Sequence, residues 1–306
     1  MTKAAIIGLG TMGPGIAATL ARAGIAVRCF DANADQRSNA APRFQVAAGV
    51  LASLGMPDQS KGQVIAVCDS LADCVFGADL VLENVSEKLE IKADVFQQAE
   101  AVVGKECVLA SDTSGIPISK IQDFLKVPER VVGMHWSNPP HIIPMIEVIA
   151  GAKTAPRVVD WTVDLIKGIG LLPVVVKKDV PGFVENRVLY ALLRECVDLV
   201  EQGVIDAEGL DTCVSWGIGY KLSVVGPMAL LDMAGLDIYQ AVGSYLNKEL
   251  CSRGDVAKFV TERTGQGKLG IKSRRGVFDY TPERITELQA QRARKLVAAR
   301  KALQDS

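Results

Sequence analysis

A chain of 306 residues is long enough for two domains. Its 34 Lys and Arg balance 35 Asp and Glu to a net charge of −1, with no basic stripe for nucleic acid and no run of about 18 apolar residues for a membrane span. Met1-Thr2-Lys3 passes straight into an apolar strand without a secretory leader, so a cytoplasmic location is expected. Seven scattered cysteines lack a Cys-x-x-Cys, and with only two histidines no metal centre is expected.

Ala4–Ile7 predicts a short buried strand, and Gly8, Leu9, Gly10, Thr11, Met12 and Gly13 follow before a helix over 16–23. In the order strand, turn, helix, this G-x-G-x-x-G is a dinucleotide cradle. Gly8 permits the tight turn, Gly10 clears space for a pyrophosphate, and Gly13 lets helix and strand close up. Pro14 sits in the first turn, where its missing N–H costs little. The second strand, 25–30, ends in Asp31. An acid there accepts from both ribose hydroxyls and repels a 2′-phosphate, favouring NAD over NADP.

Helical spacing continues over 38–54 until Gly55 and Pro57 end it. Strands are expected near 64–67, 79–82 and 107–110, with a helix over 91–103. Glu87 and Lys92 fall beyond the 79–82 strand. Ser111-Asp112-Thr113-Ser114-Gly115 is a polar loop at a strand C-terminus, the edge where open α/β sheets bind ligands; capping of a helix over 116–125 would explain Thr113 and Ser114 equally well.

An apolar strand over 130–134 then leads to His135, with Glu147 inside the next strand, 145–149. Two readings stay open from these residues alone. His135 at the strand mouth is a base backed by an acid, or it caps the strand while Glu147 is a solvated edge residue. A helix over 157–168 and a strand over 171–176 complete the alternation. Lys177–Gly182 breaks it, placing a domain boundary between residues 1–179 and 180–306. Beyond lie only helices, over 183–201, 207–216, 227–233, 237–250, 256–264 and 282–303, with an open loop over 265–272. Their broad apolar faces predict a buried partner surface.

Gly8–Gly13, Asp31, Ser111-x-Thr113-Ser114, His135-x-x-Asn138-Pro139, Glu147 and Pro181-Gly182-Phe183-x-x-Asn186-Arg187 together resemble the L-3-hydroxyacyl-CoA dehydrogenase family, in order and over nearly the whole chain. The resemblance implies a Rossmann-type NAD-binding domain followed by an all-α dimerisation domain, hence a homodimer. It also implies His135 as catalytic base, Glu147 as its orienting partner, Ser114 and Asn186 around the reacting oxygen, and Glu87 and Lys92 by the nicotinamide. An imidazole with a pKa of about 6.5 can take a hydroxyl proton near neutral pH as hydride departs.

Some features depart from that family. The segment 38–70 offers only Arg43 and Lys61 as cations for a coenzyme A, and Asp112 stands where Asn is usual. The stretches 111–118, 134–145 and 213–221 resemble the branch that oxidises a pyridine aldehyde-acid to the dicarboxylate in vitamin B6 breakdown. An aldehyde hydrate again presents H–C–O–H, so such a site would need no cysteine nucleophile. The alternatives are an L-3-hydroxyacyl-CoA or a small hydroxy-acid dehydrogenase, acting for instance on carnitine or gulonate. Intact Ser114, His135, Glu147 and Asn186 argue against a non-catalytic NAD-binding protein.

Overall fold

In the computed structural model, residues 2–304 are described. Two compact units divide after Arg187. The first is built on one eight-stranded sheet in the order β3-β2-β1-β4-β5-β6-β7-β8. Its strands are β1 (Lys3–Ile7), β2 (Ala26–Phe30), β3 (Ala66–Val67), β4 (Leu80–Glu83), β5 (Val108–Ser111), β6 (Val131–Trp136), β7 (Met145–Ala150) and β8 (Leu172–Val176). All neighbours are parallel except β6 and β7. The chain runs outward from β1 to β3, then returns to place β4 on the other side of β1. This reversal opens a crevice at the carboxyl ends of β1 and β4, where such sheets bind their ligands.

Alternation along the strands builds a core on each face. Ala4 and Ile6 point into a cluster with Ile16 and Leu20 of helix α1 (Gly13–Arg22). Ala5 and Ile7 join Phe96 on the other side. Ile6, Ile16, Leu20 and Phe96 are fully buried, each stabilising by about 1.5–3 kcal/mol. Four short helices follow: α2 (Ala34–Ser38), α3 (Ala40–Ser53), α4 (Leu71–Val75) and α5 (Leu89–Glu100). The helix expected over 38–54 is α3, and the short α2 before it, separated by Asn39, is not signalled by the apolar spacing. The strand expected over 64–67 shortens to two residues. Helix α6 (Ile118–Gln122) is also shorter than expected, and Thr113 and Ser114 do not cap it. Asp179 does, accepting from Ile118 N at 3.0 Å and Ser119 N at 2.7 Å. Helix α7 (Pro156–Gly168) leads into β8.

Helix α8 (Glu185–Glu201) carries the chain from the first unit into the second. The second unit is helical throughout, apart from two isolated bridges that tie Arg275 to Gly270 and Asp279 and order part of a stretch expected to be open. Its helices include α9 (Ala207–Thr212), α10 (Tyr220–Leu222), α11 (Pro227–Ala234), α12 (Leu236–Glu249), α13 (Lys258–Gly265) and α14 (Pro282–Gln304). Where one α-helix was expected over 207–216, the chain widens after Thr212 into a π-helical stretch, Cys213–Gly219. Gly217 and Gly219 disfavour ordinary helix there. Among the described residues, no single helix is long and apolar enough to cross a membrane.

Candidate active site

The glycine loop shows where space is needed. Gly8 has φ +101°, and a Cβ there would lie 2.6 Å from Asn84 O. A Cβ on Gly13 would lie 2.0 Å from Gly8 O, so that contact between turn and helix admits only glycine. Gly10 is different: a Cβ would meet nothing within 4 Å. The protein's own packing does not demand glycine there, which suits a ligand lying against the backbone. Met12 supplies no side-chain cap to α1, and no acidic residue occupies its first turn, so the helix start remains suited to an anion. These features fit the pyrophosphate of NAD.

Asp31 stands at the end of β2, half-buried. The expected role of accepting from both ribose hydroxyls is only part of the geometry. Oδ2 accepts from Leu9 N at 2.7 Å and Oδ1 from Asn33 N at 2.8 Å. The carboxylate thus anchors the glycine loop, and each oxygen keeps a further acceptor position. Arg43, which in the sequence is one of only two cations in the arm, donates to Leu9 O and Gly10 O and to Gln36 Oε1 at 2.9 Å. It braces the far side of the same loop.

Glu87 and Lys92 belong to a buried network around Glu83, which the sequence reading had not singled out. Lys92, 1% exposed, reaches Glu83 Oε1 at 2.9 Å and Glu87 Oε2 at 3.2 Å. Ser111 Oγ donates to Glu83 at 2.7 Å and Val85 N at 2.6 Å. Burial pushes the Glu83 carboxyl up, and Lys92 and Ser111 draw it back only in part. Glu87 accepts from Thr113 Oγ1 at 2.6 Å, Ser114 N at 2.9 Å and Gly115 N at 3.2 Å. Burial alone would raise it, but Thr113, Lys92 and Ser114 together hold it below the ordinary range.

His135 and Glu147 meet because β6 and β7 pair antiparallel in a register that sets them directly opposite. His135 Nδ1 lies 2.8 Å from Glu147 Oε2. Neither residue is a solvated edge group, since His135 is 5% and Glu147 1% exposed. His135 lies inside β6, one residue before its end, and not at the strand mouth. The buried Phe183 ring sits at 5.8 Å from the imidazole, tilted by 55°. Gly182 at φ +76° and Phe183 at φ +48° turn the chain into α8; the second of these is a strained conformation for an aromatic residue.

Glu147 Oε1 accepts from Val184 N at 2.9 Å and Glu185 N at 3.1 Å. Burial raises Glu147, but the imidazole and these two N–H groups outweigh it and hold its carboxyl below the ordinary value. Burial lowers His135, but the bond to Glu147 and the charges of Asp112, Glu147 and Glu185 leave its pKa raised. Asp112, noted only as a replacement for Asn, is buried and accepts from Trp136 N at 2.7 Å. Burial pushes it up to about 8.

Asn186 and Ser114 come together, though not hydroxyl to amide: Asn186 Nδ2 donates to the Ser114 carbonyl at 2.7 Å, leaving the Ser114 side chain exposed. Glu185 is one of the two unspecified residues in the Pro181–Arg187 motif. An acid in a helix's first turn is common for reasons of the dipole alone, so nothing in the sequence separates this one from the rest. Here Ser137 Oγ donates to its carboxylate. The second histidine, His141, packs against the first turn of α1, where a Cβ on Gly15 would lie 2.8 Å from its Nδ1.

Comparison with known proteins agrees with this geometry. Residues 3–180 match the family model described as 3-hydroxyacyl-CoA dehydrogenase, NAD binding domain, and residues 182–280 match the C-terminal domain of the same family. The chain is 62% identical over 301 residues to 5-formyl-3-hydroxy-2-methylpyridine 4-carboxylate 5-dehydrogenase of Mesorhizobium japonicum, covering 98% of this chain and 97% of that protein. The solved structure of a 5-formyl-3-hydroxy-2-methylpyridine 4-carboxylic acid 5-dehydrogenase, an NAD+-dependent dismutase, superposes with a TM-score of 0.97 at 61% identity, covering 99% of both chains. A probable 3-hydroxybutyryl-CoA dehydrogenase of Bacillus subtilis is 31% identical over 280 residues, covering 90% of this chain and 96% of that protein. The chain belongs to the 3-hydroxyacyl-CoA dehydrogenase family, with an NAD-binding domain of Rossmann type followed by the family's helical C-terminal domain.

Proposed function

We propose that this protein oxidises the formyl group of 5-formyl-3-hydroxy-2-methylpyridine 4-carboxylate to the carboxylate with NAD, as a step of vitamin B6 breakdown. One observation carries the reading: 62% identity over 98% of the chain to the dehydrogenase of that aldehyde spans the glycine loop, His135, Glu147 and the helical domain alike. The Gly8–Gly13 loop and Asp31 would hold the cofactor's pyrophosphate and ribose, with Glu87 and Lys92 shaping the loop beside its other end. When bound, NAD supplies the acceptor for hydride.

The chain's own residues handle the proton. The aldehyde hydrate is H–C–O–H, and His135 takes the hydroxyl proton. Glu147 fixes the ring through Nδ1, leaving Nε2 for the substrate, and stabilises the imidazolium that results. Ser114 and Asn186 would orient the reacting oxygen. A boundary between residues 179 and 180, a homodimer and a cytoplasmic location belong to the same reading. The homodimer is supported by exposed apolar side chains of the helical unit, among them Trp216, Tyr220, Met228, Met233 and Tyr239.

The solved relative described as a dismutase favours a second outcome at the same site, in which one aldehyde is oxidised and another reduced. The experiment is to supply the pyridine aldehyde with NAD and separate the products by chromatography, with acetoacetyl-CoA and NADH as a parallel assay. Dicarboxylate from the aldehyde and no turnover of acetoacetyl-CoA is the expected result; the converse overturns the reading. Equal amounts of acid and alcohol at substoichiometric NAD would establish dismutation.

A further inference from the structure

Glu185 is a second carboxylate that the reading above leaves without a task. One donor atom from each of His135, Glu147 and Glu185 lies within 4.8 Å of the others. The two acids are not equivalent. Glu147 has both oxygens occupied, Oε2 by the imidazole and Oε1 by two backbone N–H groups. Glu185 takes one side-chain hydrogen bond, from Ser137 Oγ to Oε2, and is half-buried. Its other oxygen accepts no hydrogen bond from the described residues.

Turning an aldehyde into an acid needs something that oxidising an alcohol does not: a water oxygen must join carbon. We propose that Glu185 is the base that adds this water, with Ser137 holding its carboxylate in place. The inference rests on the aldehyde reading above. In the step, the water oxygen bonds the formyl carbon while a water proton passes to Glu185. The carbonyl π pair moves onto its oxygen, which takes a proton from the His135 imidazolium. The product is the neutral hydrate, and His135 is left neutral and ready to take that proton back during oxidation. Glu185 releases its proton to solvent. Hydration itself transfers no electrons, so the step needs no oxidant.

The test uses Glu185→Gln, which keeps the shape and an acceptor for Ser137. Two readouts separate water addition from the rest: uptake of 18O from labelled water into the formyl group with no NAD added, and the rates of aldehyde oxidation and of NADH-driven aldehyde reduction. Exchange and oxidation should each fall about 100-fold, the usual scale for a lost general base, while reduction, which needs no water, falls by less than about fivefold. Exchange at the wild-type rate, or oxidation and reduction falling together, overturns the proposal. Should Glu185→Gln fail to fold, Ser137→Ala decides: loosening one hydrogen bond should slow oxidation about fivefold and spare reduction, and an equal loss in both directions refutes it. A wild-type protein that never oxidises the aldehyde overturns the substrate reading and this inference with it. An active wild type with an indifferent Glu185→Gln overturns the inference alone.

Discussion

Two clusters of charge lie at the carboxyl edge of the sheet, and they are built on opposite plans. Around Lys92, an ammonium sits between Glu83 and Glu87, and hydroxyl and backbone donors are already distributed over both acids. Around His135, the cation is one that titrates, and Glu147, Glu185 and Asp112 all bias it. The first cluster cannot change its charge near neutral pH without leaving a buried group uncompensated. The second is centred on a side chain whose ordinary titration falls near neutral pH. A buried ion network of the first kind fixes loops; one of the second kind can move protons for a reaction.

The sharpest way to test this contrast is to remove the titrating centre. His135→Gln should lower the oxidation rate about 1000-fold with the melting temperature nearly unchanged, measured by steady-state kinetics beside a thermal melt. Lys92→Met should do the reverse. It leaves Glu83 buried without its cation and should cost about 3–5 kcal/mol in urea unfolding. The loss should shrink as pH falls and Glu83 protonates. Equal damage to rate and stability from both variants would erase the distinction between the clusters.

Glu147→Gln should lower the rate about 100-fold, because the ring keeps a neighbour but the imidazolium loses its counter-charge. Hydride transfer from the hydrate needs the neutral imidazole, and the raised pKa of His135 means that this step declines as pH falls through a point above the ordinary histidine value. Without the Glu147 charge that point should move to lower pH, as a pH–rate profile would show. An unmoved profile would mean that Glu147 does not set the imidazole's basicity.

Asp112→Asn is the smallest of these effects and has the opposite sign. With its folded pKa raised from an ordinary 3.8 to about 8, the native state binds more protons than the unfolded state between those values, so Asp112 lowers stability as pH rises through that window. Asn keeps the bond from Trp136 N and has no proton to lose. The variant should be more stable at pH 7 and differ little at pH 4, read from denaturant titrations at the two pH values.

The cofactor half of the fold was legible because its requirements are local. Gly8 is dictated by the positive φ of its turn, Gly13 by contact with Gly8 within the same turn, and Asp31 by its place at a strand end. The pairing of His135 with Glu147 was legible as two residues on consecutive strands, but their exact opposition depends on the antiparallel register of β6 and β7. What stayed hidden depends on distant parts of the chain meeting. Asp179, 61 residues beyond Ile118, caps α6 in place of the nearby hydroxyls. Lys92 is an ordinary helix lysine until the fold buries it against Glu83. Glu185 is an ordinary first-turn acid until Ser137 reaches it across 48 residues.

Glu147 grips two things with one carboxylate: the imidazole ring on one oxygen and the opening turn of α8 on the other. Acid strong enough to protonate it would slacken both grips in a single event. Release of the imidazole and fraying of that helix should therefore set in together on acidification, and they should recover together on neutralisation.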